Sequence, residues 1–270
     1  MTYQINETLL KVEGLSMVYD KPILKDINFE IKNISRPNMS QGQVASLVAK
    51  SGMGKTQLLR CLAALQNPTA GLVKVFDKNS KEGALKPVKE GDMGVVFQNY
   101  VLYEDLTILD NCLVALKFRE VKVPNPLETV KEYAEYFELT HHLKKYPKEL
   151  SGGQRQRVSI LQQYLNGSAF LLLDEPFSGL DVSMIKKVSN LLLKISQTSE
   201  EQTIIIVSHD LVNSVALSDT VFILGKEDEK VDGAFIKKEI NLIERGLAWT
   251  PEVKYTQPFQ ETIKEIENLL

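Results

Sequence analysis

Eight residues near the start of the chain have the types and spacing of a loop that binds phosphate. They read Ala49-Lys50-Ser51-Gly52-Met53-Gly54-Lys55-Thr56, which is the G-x-x-x-x-G-K-[ST] pattern with alanine in place of the opening glycine. Glycine tolerates a positive φ, so the backbone N–H groups around Gly52 and Gly54 can turn toward one anion. In such a loop the lysine, here Lys55, reaches the β- and γ-phosphates, and the hydroxyl of Thr56 ligates Mg²⁺. A chance match in an ordinary strand-to-helix loop is the alternative. The strand predicted before the segment and the helix predicted after it favour a site that binds phosphate and Mg²⁺.

Two acids, Asp174 and Glu175, follow the apolar run from Phe170 to Leu173. Ligands of parallel sheets bind at the carboxyl ends of the strands, which is where this run would place both carboxylates. Asp174 is predicted to hold Mg²⁺, and Glu175 to polarise the attacking water as a general base. Two acids that end a strand are often only helix caps. The glycine loop upstream favours the catalytic interpretation.

The segment Leu150-Ser151-Gly152-Gly153-Gln154 predicts a helix whose first backbone amides are open to a ligand. Ser151 is a typical helix-capping residue, and Gly152 and Gly153 leave the first N–H groups uncovered. The N-terminal end of a helix attracts an anion through its dipole. Taken alone, Ser-Gly-Gly is more often just a cap, so its meaning depends on the other motifs.

The elements that must position these residues follow from the hydrophobic pattern. Apolar runs predict strands over Leu9 to Leu15, Ile27 to Ile31, Val44 to Ala49, Phe170 to Leu173, Thr203 to Val207 and Thr220 to Leu224. Helical spacing predicts the apolar faces Leu58-Leu62-Leu65, Leu127-Val130-Ala134-Phe137 and Met184-Val188-Leu191-Ile195. Tyr19 to Pro22 predicts a turn, Ile34 to Gln41 a polar loop, and Asn67 with Pro68 the end of the first helix. Strands that alternate with helices favour a mostly parallel sheet in an α/β fold.

The pattern predicts a core domain over residues 1–225, with a helical subdomain inserted at about 99–167, and a C-terminal extension over 226–270. The extension begins with a charged loop, Lys226 to Asp232, and ends in an amphipathic stripe formed by Phe259, Ile263, Ile266 and Leu270. We interpret the stripe as a helix packed on its own domain, with a partner or regulatory contact as the alternative.

Composition excludes several classes of protein. The 270 residues are 43% hydrophobic and carry a net charge of −3, so there is room for a large core and no reason to expect nucleic acid as a partner. Cys61 and Cys112 have no metal-ligand spacing, which fits a reducing compartment. Met1 to Leu10 is too polar for a secretory signal. The longest apolar runs are far shorter than the roughly 20 residues of a membrane-spanning helix, so we expect that the chain does not cross a bilayer.

The motifs, in this order, resemble those of an ABC transporter ATP-binding subunit, and the resemblance runs from about Lys11 to Leu224. It implies a P-loop NTPase core with a mostly parallel sheet, an antiparallel N-terminal β part and an inserted helical subdomain. It also implies two cassettes paired head to tail, so that the Ser151 segment of one chain meets the γ-phosphate held by the other. Separate transmembrane permease subunits and a peripheral place on the cytoplasmic face of the membrane are implied as well.

The resemblance assigns further roles by position. Tyr19 matches the aromatic that stacks on adenine, and Gln98 matches the glutamine that joins the subdomains and senses Mg²⁺ and the attacking water. His209 matches the switch histidine that contacts the γ-phosphate, and Ser178-Gly179-Leu180-Asp181 matches a loop that contacts the opposite subunit. The catalytic set is then Glu175, His209 and Gln98, and the metal set is Thr56, Gln98 and Asp174. The nucleotide-binding set is Tyr19, Lys50, Ser51, Gly52, Met53, Gly54, Lys55, Thr56, Gln57, Ser151, Gly152, Gly153 and Gln154.

Three features depart from the family pattern. Ala49 replaces a glycine, which costs little if an L-residue can adopt the conformation there. The loop from Ile34 to Gln41 is longer than usual, and Gln162 with Gln163 stand where the family usually has alanine and arginine. His141 and His142 are interpreted as solvated loop residues. None of these departures removes a Mg²⁺ or γ-phosphate group, so an active ATPase is expected.

Two functions remain in competition. The first is the motor of a transporter, with the stretch Asn99 to Leu116 placed where the family docks its membrane partner. Its likeness, and weakly that of the tail Leu242 to Trp249, is to importers of small anions or polar solutes. The second is a soluble cassette ATPase, for example in iron–sulfur cluster assembly. A scaffold that binds ATP without hydrolysis is disfavoured by Glu175 and His209.

Overall fold

The structure is a computed structural model that describes residues 3–36, 41–77, 80, 84–119, 121–200, 202–228, 230–248 and 252–270. Within these ranges the chain forms one four-stranded and one six-stranded sheet, with helices on both faces of the larger one. The strands are β1 (Gln4–Val18), β2 (Pro22–Ser35), β3 (Gln43–Val48), β4 (Ala70–Phe76), β5 (Leu85–Pro87), β6 (Met93–Val96), β7 (Phe170–Asp174), β8 (Thr203–Ser208), β9 (Thr220–Gly225) and β10 (Phe235–Asn241). The helices are α1 (Lys55–Leu62), α2 (Ile108–Lys117), α3 (Pro126–Tyr136), α4 (Gly152–Leu165), α5 (Val182–Ser196), α6 (Leu211–Leu217) and α7 (Gln257–Leu269).

The smaller sheet is antiparallel and has the order β2-β1-β4-β5. The predicted turn after Val18 joins β1 to β2, and both strands are longer than their apolar runs indicated. β2 continues to Ser35, so the predicted loop over Ile34 to Gln41 was wrong at its start. Arg36 is buried, and residues 37–40 of that loop lie outside the described ranges.

The larger sheet has the order β10-β9-β3-β8-β7-β6 and is parallel except for β10, which confirms the mostly parallel sheet. β3 lies between β8 and β9, and each of its residues is buried. Val48 pairs with Ser208, and Asp174 pairs with Val207. The carboxyl ends of β3, β7 and β8 therefore meet at one edge, where the candidate site residues emerge.

The core lies on both faces of this sheet because side chains alternate along each strand. Leu172 and Ile205 face a cluster built with α1 and the smaller sheet. Leu171, Leu173 and Ile204 face a second cluster, formed with α2, α3, α4 and α5. The near-continuous apolar runs of β7 and β8 follow from this two-sided burial.

The helix after the glycine loop is shorter than predicted. α1 ends at Leu62 because Ala63 caps it and Ala64 takes a positive φ of 56°. Leu65, assigned to the apolar face of α1, lies beyond the helix and is exposed. Asn67 and Pro68 are not what stops the helix, since the backbone has already turned away at Ala64.

Helices α2, α3 and α4 lie between β6 and β7. That they form a separate helical subdomain over about 99–167 stays a prediction. Two short 3₁₀ turns, Thr140–His142 and Pro147–Glu149, connect α3 to α4. Val130, Ala134 and Phe137 are buried, whereas Leu127, placed on the same face, is exposed at the first turn of α3. No helix in the described ranges is long and apolar enough to span a membrane.

Residues after Gly225 add to the larger sheet rather than standing apart from it. β10 pairs with β9, and α7 packs its apolar stripe against β9, β10 and α6. Phe259, Ile263 and Ile266 are buried, which confirms the interpretation of the stripe as a helix packed on its own domain. Glu229 of the charged loop and Trp249 of the segment Leu242 to Trp249 lie outside the described ranges.

Candidate active site

The loop between β3 and α1 closes on itself through Lys55. Gly52 and Gly54 have φ values of 82° and 83°, and a Cβ atom on Gly54 would lie 2.6 Å from Ile23. Lys55 begins α1, and its Nζ donates to the carbonyl oxygens of Ala49 at 3.1 Å and Lys50 at 3.3 Å. The ammonium group is thereby held inside the loop, where it can pair with an anion bound by the backbone N–H groups.

Ala49 fits its position in the loop. The residue is fully buried at the end of β3, and it is not among the described non-glycine residues with positive φ. Its N–H donates to the carbonyl oxygen of Ser208 at 3.4 Å. An L-residue can therefore adopt this conformation, as expected for the substitution of the opening glycine.

Asp174 is the last residue of β7, and its carboxylate faces α1. Its Oδ2 accepts a hydrogen bond from Thr56 Oγ1 at 3.4 Å, whereas its Oδ1 is buried and has no hydrogen-bond partner within the described ranges. Burial, and then the charge of Glu175, raise the pKa of Asp174. Mg²⁺ prefers oxygen ligands, and a buried carboxylate oxygen that accepts no hydrogen bond, beside a threonine hydroxyl, suits such an ion.

Glu175 has a left-handed backbone, with φ of 51°, which turns its side chain back toward the loop. Its Oε2 accepts from Ser208 Oγ at 2.8 Å and His209 N at 3.1 Å, and lies 2.8 Å from His209 Nδ1. Its Oε1 lies 3.3 Å from Lys55 Nζ. Burial raises the pKa of Glu175, but the hydrogen bonds and the Lys55 charge outweigh it, so the pKa is lowered. The carboxylate is therefore ionised at neutral pH.

An open depression of about 640 Å³ lies over these groups. It is lined by eight residues of the predicted site, namely Ser51, Gly52, Gly54, Lys55, Thr56, Gln57, Gln98 and Glu175. Gln98 also donates from Nε2 to Ser178 Oγ at 3.3 Å, which connects it to the loop after β7. The structure thus brings the glycine loop, the predicted base and Gln98 around one space.

Other predicted nucleotide contacts do not line this depression. Lys50 and Met53 belong to the loop but are not on its wall. Tyr19 is 54% exposed, and its hydroxyl is hydrogen-bonded by Gln66 Nε2. Its neighbours Lys21, Pro22 and Ile23 reach the wall instead.

Lys226 and Asp232 also line the depression, and the sequence interpretation missed them. Asp232 Oδ1 lies 3.6 Å from Lys226 Nζ, and Asp232 Oδ2 lies 3.8 Å from Lys21 Nζ. The charge density of the loop from Lys226 to Asp232 was the available signal. Nothing local in the sequence shows that this loop folds back beside the glycine loop.

The Ser151 segment lies away from the depression and begins α4. Ser151 Oγ accepts from Gln154 N at 3.4 Å, and Gln154 Oε1 accepts from Ser151 N at 2.9 Å, which forms a capping box. Ser151 and Gly152 are exposed, so the helix end is open to solvent. In this chain alone, these residues do not contact the glycine loop's depression.

His142 was interpreted as a solvated residue, and this was wrong. Its Nε2 lies 3.2 Å from Gln154 Nε2, so the imidazole supports the residue that closes the capping box. Burial lowers the pKa of His142, and the charges of nearby basic residues add to that shift. The imidazole is therefore neutral at neutral pH and can accept from the Gln154 amide.

Of the two glutamines that depart from the family pattern, Gln163 contacts the edge strand β6. Gln163 Oε1 accepts from the backbone N–H of Val95 at 3.2 Å, and Gln162 is buried.

Asp181 caps α5 by accepting from Met184 N at 3.0 Å, and Gly179 before it is exposed. The loop Ser178 to Asp181 is thus anchored at Gln98 and at α5, with its tip in solvent.

Comparison with known proteins supports the same interpretation. The family model described as ABC transporter matches residues 31–178. The sulfate/thiosulfate import ATP-binding protein CysA 1 of Agrobacterium fabrum is 32% identical over 222 residues, covering 80% of this chain and 61% of that protein. The trehalose/maltose import ATP-binding protein MalK of Thermococcus litoralis is 32% identical over 243 residues, covering 86% and 62%. The chain therefore spans less than two thirds of the length of these relatives.

Solved structures show the fold. A dimeric bacterial ABC transporter cassette aligns with a TM-score of 0.68 and 24% identity, covering 87% of this chain and 99% of that one. An ATP-binding subunit of an ABC transporter aligns with a TM-score of 0.70 and 20% identity, covering 96% and 99%. Both alignments show that the overall fold is shared.

Proposed function

Because the chain belongs to the ABC transporter family, we propose that it is the ATP-hydrolysing subunit of a membrane transporter. One observation carries the proposal: Lys55, Thr56, Asp174 and Glu175 meet at the carboxyl ends of β3 and β7. A cation, a hydroxyl and two carboxylates in that arrangement can bind the phosphates of a nucleotide, hold its metal and activate a water.

Each residue of the site has a distinct role in this proposal. Lys55, with the amides around Gly52 and Gly54, binds the β- and γ-phosphates. Thr56 and Asp174 would hold Mg²⁺, with Gln98 beside them, and the ion would supply positive charge to neutralise the phosphate oxygens. The unpartnered Asp174 Oδ1 supports this assignment, because a buried carboxylate oxygen without a donor calls for a cation.

Glu175 would act as the general base toward water. Its Oε2 is occupied by Ser208 and His209, so Oε1 is the oxygen that faces the loop. The lowered pKa keeps the carboxylate ready to accept a proton at neutral pH. His209, half exposed and tied to Glu175 through Nδ1, is placed to respond to a γ-phosphate.

Two copies of the chain would complete the site. The exposed helix end at Ser151 and Gly152 is suited to an anion but lies outside this chain's own depression. Head-to-tail pairing would bring this helix end over the nucleotide held by the glycine loop of the second copy. Tyr19 of that second copy would lie against the adenine. We infer this pairing from the open helix end and the exposed Gly179 loop, in line with the family resemblance.

A membrane permease is the proposed partner, and import of a small polar solute or anion the proposed process. The stretch after Gln98 exposes Val101 and Tyr103 while burying Leu102, so it offers apolar surface on a fixed backbone. A relative named for sulfate or thiosulfate and one named for trehalose or maltose have the same identity to this chain, 32%. We therefore propose the substrate only as a class, small polar solutes or anions. The chain would be peripheral on the cytoplasmic face of the membrane.

The ATPase proposal is tested by phosphate release from ATP in the presence of Mg²⁺. Glu175→Gln should lower turnover roughly a hundredfold or more and retain bound ATP, because it removes the general base but leaves the glycine loop that binds the phosphates intact. Lys55→Ala should abolish ATP binding in a calorimetric titration, since it removes the cation inside the loop. Glu132→Gln, an exposed glutamate on α3, is the matched control and should behave as the unmodified chain.

The metal and pairing assignments need separate measurements. Asp174→Asn should raise the Mg²⁺ concentration needed for half-maximal turnover, and Mg²⁺ should raise the melting temperature of the unmodified chain but not of this variant. Ser151→Arg should lower hydrolysis and leave ATP affinity of the monomer unchanged, because its phosphate lies on the other copy. Equal losses of affinity and hydrolysis would contradict a composite site.

Purification of the tagged chain from its native membranes tests the transporter assignment against the alternative. Recovery of a polytopic membrane protein in stoichiometric amount, identified by mass spectrometry, supports the transporter. Recovery of soluble iron–sulfur assembly proteins instead would favour a soluble cassette ATPase. Exposure of Val101 and Tyr103 favours the transporter, so Tyr103→Glu should reduce recovery of the membrane protein without changing ATP affinity.

A further inference from the structure

Lys254, in the C-terminal segment, reaches the helix that follows His209. Its Nζ donates to Asn213 Oδ1 on α6 at 2.6 Å, across 41 residues of chain. The lysine lies in a short 3₁₀ turn, Val253–Tyr255, whose first residue is buried in the core under α7. Gln260 Nε2 donates to the Lys254 carbonyl oxygen at 2.8 Å. The lysine backbone is therefore fixed by packing and by α7.

Asn213 passes this contact on to Asp210. Asn213 Nδ2 donates to Asp210 Oδ2 at 2.7 Å, and Asn213 N donates to Asp210 Oδ1 at 3.0 Å. The orientation of the carboxamide is determined by its neighbours, because the ammonium group of Lys254 can only donate and the carboxylate can only accept. A flipped amide would lose both hydrogen bonds. Lys254 thus selects one arrangement at the start of α6.

Asp210 connects this arrangement to Glu175. The N–H of Asp210 donates to Ser208 Oγ at 3.0 Å, and Ser208 Oγ donates to Glu175 Oε2 at 2.8 Å. His209 lies between Asp210 and Ser208 in the same turn. A continuous series of hydrogen bonds therefore runs from the C-terminal segment to the carboxylate that faces the glycine loop.

Charge supports the same series. Asp210 caps α6 with a carboxylate at its N-terminal end, which the helix dipole stabilises. Partial burial lowers the pKa of Lys254, and the charge of Asp210 opposes that shift, so the two groups interact. The asparagine between them is polarised from both sides.

We propose that Lys254 is a positioning residue for ATP hydrolysis, acting through Asn213 and Asp210 to hold the His209 turn and the Glu175 carboxylate in place. The inference rests on the proposed function and deepens it. It gives the C-terminal segment a part in turnover that the glycine loop and the acids do not imply. Simple packing of the segment predicts a different outcome, since Lys254 could then be replaced by any side chain of similar length.

The test compares Lys254→Met, Lys254→Arg and Asn213→Ala with the unmodified chain in ATP hydrolysis. Lys254→Met should lower kcat about three- to tenfold and leave the KM for ATP within about twofold. The reason is that the Glu175 carboxylate is misplaced while the glycine loop is unchanged. Lys254→Arg retains a charged donor and should recover most of the loss. The double variant of Lys254→Met and Asn213→Ala should be no slower than the worse single variant, since both cut one series.

Two controls separate positioning from stability. Lys264→Met changes an exposed lysine on α7 and should leave kcat unchanged. Ile266→Val weakens the packing of α7 without touching the hydrogen bonds, and should lower the melting temperature but not kcat. If Ile266→Val lowers kcat as much as Lys254→Met does, the effect is one of packing and the proposal is wrong.

Hydrogen exchange provides a readout that does not depend on activity. Amides of the peptide covering residues 208–214 should exchange faster in Lys254→Met than in the unmodified chain or in Lys264→Met. If the unmodified chain does not hydrolyse ATP, the proposed function fails, and exchange still decides whether Lys254 holds the turn. If it hydrolyses ATP and Lys254→Met matches it in both kcat and exchange, the positioning role fails alone.

Discussion

Replacing Arg36 should strongly lower the free energy of unfolding, although Arg36 belongs to a segment that the sequence predicted as a polar loop. The reason is that Arg36 forms a buried ion pair that connects both sheets. Its Nη2 lies 3.0 Å from Asp219 Oδ2, and the two side chains are only 3% and 4% exposed. Its Nη1 donates to the carbonyl oxygens of Gln41 at 3.0 Å and Gly42 at 2.8 Å. One side chain thus joins the end of β2, the start of β3 and the start of β9.

The magnitude follows from what Arg36→Met leaves behind. Asp219 keeps the hydrogen bond from Val44 N at 2.8 Å but loses the Arg36 guanidinium while it stays buried. Removal of one partner of a buried pair costs about 3–5 kcal/mol. Total free energies of unfolding are about 5–15 kcal/mol, so this is a large fraction of the whole. The effect should appear as a lower denaturation midpoint with an unchanged m-value.

Guanidinium titrations followed by circular dichroism measure the loss directly. Lys32→Met is the matched control, because Lys32 is half exposed and its ion pair with Glu30 is 4.0 Å long, so it should cost less than about 0.5 kcal/mol. Adding Asp219→Asn to Arg36→Met should recover about 1–2 kcal/mol, because it removes the buried charge that Arg36 neutralised. A loss below about 1 kcal/mol for Arg36→Met, or a double variant that sums the two single losses, would refute the reasoning.

Three further predictions concern stability. Gly71→Ala should cost at least about 2 kcal/mol more than Gly91→Ala in urea titrations, because both have positive φ but only a Cβ at Gly71 would meet backbone atoms, at 2.3 Å. Glu265→Gln should cost about 1 kcal/mol at neutral pH, since two cations lower the pKa of this half-exposed acid to about 2; the stabilisation is present above its unfolded pKa, and the gap between variants should close as pH falls from about 4.5 toward 2. Asn111→Ala should cost about 2–3 kcal/mol and speed proteolysis between residues 99 and 107, because the buried amide makes four hydrogen bonds to that loop, whereas exposed Asn190→Ala should do neither.

The parts of the fold that could be predicted from sequence are those with a local cause. β3, β7 and β8 are buried on both faces, so their residues form short continuous apolar runs. The glycine loop and the acids after β7 also have their cause in adjacent residues. Both α5 and α7 showed their buried faces at helical spacing.

The strands that were missed belong to sheet edges or to the one-sided antiparallel sheet. β4 alternates Val73 and Val75 with Lys74, a signal that was present but shorter than the helical patterns around it. β10 buries only Ile240 fully and exposes the charged residues Lys238 and Glu239. Such strands depend on a partner strand rather than on their own composition.

Contacts between distant residues gave no signal at all. Arg36 and Asp219 are 183 residues apart, and each alone reads as a surface charge. The end of α1 at Leu62 depends on the left-handed backbone of Ala64, which no propensity of alanine favours. The link from Lys254 to Asn213 likewise exists only once α7 has packed under the sheet.

The central position of β3 has a consequence for synthesis of the chain on the ribosome. Both neighbours of β3 are encoded far downstream, and the pairing of Gln43 with Thr203 spans 160 residues. At about 5–20 residues per second, translation of that interval takes roughly 8 to 32 seconds. The antiparallel sheet of β1, β2 and β4 can form during this time, whereas both edges of β3, the strand before the glycine loop, are still unpaired. We therefore expect a nascent chain stalled before Thr203 to bind chaperones and not nucleotide.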